Sequence, residues 1–417
     1  MRHVLLVVVA SMLATVAAAT QDRTPRPQPP TALELFVAAD AVVVGTCESS
    51  ATSDVTRDGS NAATRPVHVV RVDRFEAGGS PRAAGVAPLK PGDRIAVRSH
   101  LESGDADQAA PPLSPSRRGR AYLTDDGTTD GAGRRMFTLA SANGWRPQAR
   151  DVTFVGADDE YRSEVTMPLV AGICAREGGM TTTVAFPADP ATGALDVERR
   201  DHIANVSTLQ AADVAVFYMR WREFDDESWK AVSTFLRSGK PIVGLRTTTH
   251  FLRTKDGTLD NDVPARVFGQ RWISHHGHES KTRVLRPEGA AAEHPILRGV
   301  RGEFVVPSWL YDVEPLPKDC RVLLYGEVVG RDGDSTKQPI VWIREAGPDT
   351  PTPFPDGGTP ARRMAFTTLG HPGDFENAEV RRLVAQMILW AAGDEASIPK
   401  DGLPATLSAP YAAPPTR

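Results

Sequence analysis

The chain has 417 residues, of which 41% are hydrophobic and 24% charged, and a formal net charge of -4. That length exceeds what one hydrophobic core usually organises, so two domains are expected. Both signs of charge are mixed along the chain, which indicates neither nucleic acid nor an anionic membrane as a partner.

Residues 1–19 read as a secretory signal. Arg2 gives a positive start, Val4 to Val9 opens an apolar run reaching about Ala14, and Ala17-Ala18-Ala19 supplies small residues for cleavage. A membrane anchor is the competing reading, but Ser11 and Thr15 interrupt the run and it is short for a bilayer. No other stretch is long and apolar enough to span, so an exported protein is expected, periplasmic or extracellular. Residues 20–30 carry Pro25, Pro27, Pro29 and Pro30 and read as an extended linker. Cys47, Cys174 and Cys320 lack C-x-x-C spacing and indicate neither zinc nor a disulfide framework; Cys174 falls on the apolar side of a predicted helix.

Residues 31–146 show short strand signals: Ala41 to Val44, the alternating Val67 to Val72, Ile95 to Val97 behind the turn Lys90-Pro91-Gly92-Asp93, Ala121 to Leu123 and Met136 to Leu139. Ser49 to Arg65 and Gly104 to Arg118 read as long loops. A small all-β barrel or sandwich follows. The run Ala39-Asp40-Ala41-Val42-Val43-Val44-Gly45-Thr46, the alternating strand and the Lys-Pro-Gly-Asp turn together resemble small netrin- or OB-like barrel modules of secreted proteins.

After Pro147 the pattern becomes strand, helix, strand. Val152 to Gly156, Thr181 to Phe186, Val214 to Tyr218, Pro241 to Leu245 and Met364 to Thr368 are buried strands. Ser163 to Glu177 is a helix stopped by Gly178-Gly179; Asp226 to Arg237 is an amphipathic helix, and Asn377 to Ala392 carries an apolar stripe from Val380 to Ile388. Residues 151–393 are therefore expected to form an α/β domain with a doubly wound, mostly parallel sheet, followed by an irregular tail over 394–417.

In such a sheet ligands collect beyond the C-terminal strand ends. Four of those ends are polar: Asp158 to Glu164, Met219 to Glu223, Arg246 to His250, and Leu369 to Asp374. From these, His371, Glu160 and His250 are candidate acids or bases, and Arg220, Arg246, Thr247 and Tyr161 candidate ligand contacts, the arginines as forked donors to oxygen. Each is open to a second reading, in which the charges pair with one another and brace the loops; for His250, four residues after Arg246, that reading is a helix surface. His275-His276-Gly277-His278, beside Glu279, could chelate a metal or face a ligand; no zinc motif matches, so no metal or cofactor is assigned and His276 is taken as a ligand contact. His294 reads as structural, and Trp309-Leu310-Tyr311 as core or as a platform for a sugar ring.

Glu160-Tyr161-Arg162-Ser163-Glu164, Gly239-Lys240-Pro241-Ile242-Val243-Gly244-Leu245-Arg246-Thr247, Leu369-Gly370-His371-Pro372 and Trp390-Ala391-Ala392-Gly393 resemble, in that order, the ThuA family. The resemblance spans about Asp151 to Gly393. It implies the class I glutamine amidotransferase-like (flavodoxin-like) fold and an association with carbohydrate, trehalose-type, utilisation; it also favours the histidine run as a ligand-facing loop. The amidotransferase fold places a cysteine on the turn after its fourth strand, served by a later histidine and an acid. Here that turn carries Arg246 and Thr247, His371 matches the histidine, and Gly373 stands where the acid belongs, with Asp374 as a stand-in. Hydrolysis of glutamine through a thioester is thus not expected. The expected function is binding or processing of a carbohydrate or sugar-derived metabolite; the alternative is a non-catalytic binding or scaffold protein at the cell surface. Homo-oligomerisation is left open.

Overall fold

The computed structural model describes residues 39–56, 63–77, 82–90, 92–98, 118–139, 145–147, 149–254, 256–278, 280–287, 289, 292–313, 315–330 and 336–417. The expected signal (1–19) and linker (20–30), most of the segment 104–118 and Glu279 lie outside them. The chain divides into two compact units, residues 1–147 and 148–417.

The first unit is a curled antiparallel sheet. Its strands are β1 (Ala41–Thr56), β2 (Ala63–Ala77), β3 (Arg94–Arg98), β4 (Arg118–Thr129), β5 (Arg135–Leu139) and β6 (Trp145–Pro147). The pairing runs β1-β2-β3-β5-β4-β6, and β1 also pairs with β4 along Ala41 to Thr46, so the sheet returns on itself. Among the described residues only β3 and β5 run parallel. Alternate residues Ala41, Val43, Val70, Val72, Ile95, Val97, Ala121, Leu123, Phe137 and Leu139 fill the inside, as the period of two requires. The stretch expected as a loop from Ser49 to Arg65 is largely hairpin instead: β1 continues to Thr56 and β2 starts at Ala63, with register shifts at Cys47/Ser49 and Thr52/Val55. Bulges of this kind mask the alternation that a strand shows in sequence.

The second unit contains β7 (Asp151–Ala157), α1 (Ser163–Gly178), β8 (Thr181–Pro187), β9 (Ile203–Ala204), β10 (Val214–Met219), α2 (Asp226–Leu236), β11 (Ile242–Leu245), α3 (Asp262–Phe268), β12 (Lys281–Leu285), β13 (Phe304–Val306), β14 (Cys320–Val329), β15 (Lys337–Glu345), β16 (Arg363–Thr367) and α4 (Ala378–Ala392). Its ten strands lie in the order β13-β12-β14-β15-β16-β11-β10-β7-β8-β9. Neighbours from β16 to β8 are parallel, and every other pairing is antiparallel. The sheet is therefore mixed, and the expectation of a mostly parallel sheet applies to its central block alone.

That block is covered on both faces. Along β10, Val214, Val216 and Tyr218 join the core that includes α1 and α4, while Ala215, Phe217 and Met219 join the core that includes α2 and α3. Burial on both sides explains the continuous apolar run. Asp225 caps α2 by accepting the Ser228 N–H at 2.7 Å, and Asn377 caps α4 by accepting that of Glu379 at 2.9 Å. In the antiparallel wing β12 and β14 leave one face wet, where Arg283 pairs with Glu327 at 2.8 Å, while Ile340 to Ile343 of β15 is buried on both faces.

The tail after Gly393 has one short 3-10 turn, Glu395–Ser397, and no other regular element. It is laid against the unit rather than loose. Arg381 and Arg382 of α4 donate to the carbonyls of Ala405 (3.1 Å) and Leu403 (2.6 Å), and Glu177 accepts the N–H groups of Ala405 and Thr406. Further on, the Tyr411 hydroxyl donates to Pro372 O at 2.9 Å and the Arg417 N–H to Glu160 O at 3.0 Å.

Candidate functional site

Among the parallel strands, β8 lies on one side of β7 and β10 on the other. The loops leaving β7 and β10 consequently diverge at their C-terminal ends, the position where such sheets place a ligand crevice. Asp158 to Arg162 forms one wall and Arg220 to Arg222 the facing one.

Asp158 begins the first wall, fully buried. Its carboxylate accepts the N–H groups of Glu160 (2.8 Å) and Tyr161 and the hydroxyl of Thr247 (2.5 Å). Burial nevertheless pushes its pKa up to about 6, because the charged form loses more in hydration than these donors restore. Thr247 is thus turned inward to brace this loop. Across the crevice, Arg220 donates to Asp159 at 2.9 Å and pairs with Glu160 at 3.0 Å, while its guanidinium lies 3.2 Å from the centre of the Trp221 ring.

The third wall is the turn after β11. Gly244 is required by close packing, since a Cβ there would stand 2.6 Å from Phe366 and 2.7 Å from Phe268. Two residues later Arg246 adopts φ 42°, a left-handed conformation that costs a non-glycine residue about 1–2 kcal/mol. The 3-10 turn Arg246–His250 follows, and all five of its side chains are buried. His250 therefore does not sit on a helix surface. Burial, then Arg220, Arg246 and Arg253, hold its pKa well below 6.5, and its Nδ1 lies 3.2 Å from the Thr249 hydroxyl.

Arg246 points inward. Its Nη1 donates to Ser308 Oγ and Thr368 O, both at 3.1 Å, and the guanidinium covers the rings of Tyr161 (4.1 Å) and Tyr311 (4.9 Å). Its Nε and Nη2 meet no acceptor in hydrogen-bonding geometry. Ser308 in turn donates its hydroxyl to Asp374 at 2.5 Å. Asp374 also accepts the N–H groups of Ser308 (3.0 Å) and Gly370 (2.8 Å). It is fully buried and committed to this network, so it does not stand in as the acid that orients His371.

His371 follows β16 and caps the 3-10 turn Pro372–Glu376, its Nδ1 accepting the Gly373 N–H at 3.0 Å. His294 does the same for Pro295–Leu297, with Ile296 N–H at 3.3 Å. An imidazole whose Nδ1 is an acceptor carries its proton on Nε2 when neutral. Burial, reinforced at His371 by Arg246, lowers both pKa values to about 4. His371 thus presents an N–H donor near neutral pH, instead of a free base.

Trp272, which the sequence left without a role, and Tyr311, open there between core and platform, add aromatic rings beside Trp221. Ring centres run Trp221–His250 (6.3 Å), His250–Trp272 (4.6 Å) and Trp272–Tyr311 (4.7 Å); Tyr311 meets Arg246, which covers Tyr161, and Tyr161 lies 6.1 Å from His371. With Glu160 and Arg220 the circuit closes, so Glu160, Tyr161, Arg220, Arg246, His250 and His371 belong to one connected cluster beyond the strand ends. His276 is not in it by any of these contacts: its Nε2 pairs with Asp312 at 2.5 Å. His275 takes that place, between Trp272 (6.0 Å) and Trp309 (4.9 Å), with His278 against Trp309 at 4.7 Å. His275 and His278 thus pack edge to face, their ring centres 5.0 Å apart, while His276 turns away to Asp312. Among the described residues no group of three or more His, Cys, Asp or Glu is arranged to hold a metal ion.

No cysteine borders the crevice among the described residues. Cys174 is buried in α1, its thiol pushed up to about 12, and Cys320 opens β14, pushed up to about 11, both by burial.

A family model described as ThuA, trehalose utilisation, matches residues 162–391. Among solved structures, a putative ThuA-like protein from Parabacteroides merdae is similar at 13% identity and TM-score 0.41, over 59% of this chain and 90% of its own. The N-terminal domain of mmIFT52 is similar at 10% identity and TM-score 0.34, over 58% of this chain and 96% of its own. An exo-β-1,4-mannosidase from Opitutaceae bacterium strain TAV5 is similar at 9% identity and TM-score 0.27, over 60% of this chain and 35% of its own. No curated protein matches the chain.

Proposed function

From the premise that this chain belongs to the ThuA family, trehalose utilisation, we propose that its second unit binds a carbohydrate or sugar-derived metabolite in the crevice beyond β7, β10, β11 and β16. The single observation that carries this reading is the closed circuit of side chains around that crevice. It combines what a polyhydroxylated ring needs: aromatic faces (Trp221, Trp272), an acceptor (Glu160), forked donors (Arg220) and a fixed N–H (His371). Trp309 extends the aromatic wall through His275.

Binding is favoured over turnover by the state of the imidazoles. His250 is buried and neutral and His371 has its Nδ1 occupied, so acid or base work falls to Glu160. Glutamine hydrolysis is not part of the proposal, because the elbow after β11 holds Arg246 and the buried thiols are far from forming thiolates. The strand order of the parallel block, 2-1-3-4-5 counting β7 as first, fits a flavodoxin-like, class I glutamine amidotransferase-like core. The self-returning first sheet with parallel β3 and β5 fits an OB-like barrel. Export follows from the reading of residues 1–19.

A thermal-shift and calorimetric panel of mono- and disaccharides, trehalose among them, tests the proposal. A ligand at a hundred times its Kd should stabilise by about 2.7 kcal/mol, a rise of roughly 5–10 °C for a unit of this size. If no sugar shifts the melting temperature or gives heat, the crevice does not bind sugars. If a bound sugar is recovered unchanged after prolonged incubation, the protein is a binder; if it is consumed, Glu160→Gln should abolish that consumption.

A further inference from the structure

We infer that the ligand of this crevice carries an oxyanion, as a sugar acid or sugar phosphate does, held by the guanidinium groups gathered round Trp221. This rests on the sugar-binding reading above and adds the charge of the ligand to it.

Three guanidinium groups surround one indole: Arg220 at 3.2 Å, Arg253 at 4.5 Å and Arg200 at 5.6 Å from its centre. Trp221 is held there by a left-handed backbone, φ 50°. Arg222 lies beneath, fully buried, and donates to the carbonyls of Arg220 and Arg199, both at 2.7 Å. With Arg246, five cations border the crevice.

The carboxylates do not balance them. Asp159 is shared by Arg220 (2.9 Å), Arg200 (3.4 Å) and Arg222 (3.8 Å), and Glu160 serves Arg220 alone. Asp158 is spent on Thr247 and two backbone N–H groups. Arg199, next in line, is already matched by Asp201 at 2.8 Å. Among the described residues no carboxylate pairs with Arg246 or Arg253. Nη2 of Arg222, Nε and Nη2 of Arg246 and Nε of Arg253 are buried without a hydrogen-bond acceptor, and Arg222 and Arg246 are both fully buried.

A buried donor left without a partner is costly, more so when charged, and a surplus of positive charge in a crevice with low-dielectric walls concentrates anions. A ligand oxyanion held by the part-buried guanidinium groups offsets that surplus, and through it the field of the buried ones. Arg200, Arg220, Arg253 and Trp221 are only part-buried, so solvent reaches the group. The sugar portion then extends toward Trp272 and Tyr311 along the ring circuit.

The test is calorimetry of the full chain with matched pairs: glucose against glucuronate and glucose 6-phosphate, galactose against galacturonate, trehalose against trehalose 6-phosphate, with inorganic phosphate alone as a further titrant. The inference expects the oxyanionic member to bind at least tenfold tighter than its neutral partner. It also expects that advantage to shrink as salt rises from 50 to 300 mM and to fall away in Arg253→Gln and Arg200→Gln. Arg200 is the safer variant, since its side chain is partly exposed and its removal leaves Asp159 two other partners. Neutral sugars binding as well as their acidic partners would overturn the inference and leave the sugar reading intact. Phosphate binding without any sugar would overturn the sugar reading and leave the anion site. Silence from every titrant would overturn both.

Discussion

Gly244→Ala is the sharpest probe of the turn that carries Arg246. The added methyl would stand 2.6 Å from Phe366 and 2.7 Å from Phe268, where ordinary contact begins at 3.4 Å, so the rings must retreat by about 0.8 Å. Neither has room. Both are fully buried, their centres 5.5 Å apart; Phe366 stacks on Trp342 at 4.7 Å, and the Trp342 indole N–H donates to Phe268 O at 2.8 Å. Overpacking of a core that cannot relax costs about 1–3 kcal/mol, and this site belongs at the upper end. At roughly 2–4 °C per kcal/mol for a unit of this size, the melting temperature should fall by about 6–12 °C. Differential scanning fluorimetry of the purified full chain reads this directly. A drop below about 2 °C would show that the sheet and α3 separate easily here, and the account of why the turn is rigid would fail.

Trp309→Ala should weaken whichever sugar the panel identifies by about two- to twelvefold, since an aromatic contact contributes roughly 0.5–1.5 kcal/mol beyond burial; equal affinity would remove Trp309 from the crevice. In heteronuclear spectra His371 and His294 should remain neutral Nε2–H tautomers at pH 7 and titrate near 4. Folding makes both harder to protonate than the ordinary 6.5, so their contribution to stability is complete above that value and is lost as pH falls toward 4; a titration above 6 would contradict the cap. Removing Arg417 alone breaks the bond to Glu160 O and the Arg417–Glu164 pair, worth only about 1–2 kcal/mol together. Ligand affinity should therefore fall while the melting temperature moves by less than about 8 °C; unchanged affinity would show that Arg417 does not position Glu160.

The central strands and helices were legible in sequence because burial on both faces writes continuous apolar runs, as in Val214 to Met219, and because α4 carries its stripe on one side. The rule that ligands gather at strand ends picked out Glu160, Tyr161, Arg220, Arg246, His250 and His371, which the fold joins in one cluster of ring and ion-pair contacts. The wing was only partly legible. Arg283 and Glu327 break the pattern on β12 and β14, whereas Ile340 to Ile343 of β15 is a continuous apolar run buried on both faces and could have been read as a strand. Trp309 to Tyr311 stood open between core and platform, and the place of Trp272 depends on its contact with Tyr311, distant in sequence. The histidine run failed differently: only the position of Asp312, distant in sequence, decides that His276 turns to it and His275 to the tryptophans. The role of His371 could have been read locally, since His294-Pro295 and His371-Pro372 are the same capping pattern.

The ten-stranded sheet ends on β13, three residues long, and β9, two residues long. A sheet grows by offering unpaired N–H and C=O groups to another chain. β9 covers only Phe186 and Pro187 of β8, so among the described residues Thr181 to Ala185 pair with β7 on one side and with no strand on the other. That five-residue stretch, and not β9 itself, is where an added strand would find a template, and a charge or proline placed there would close it without disturbing the parallel block.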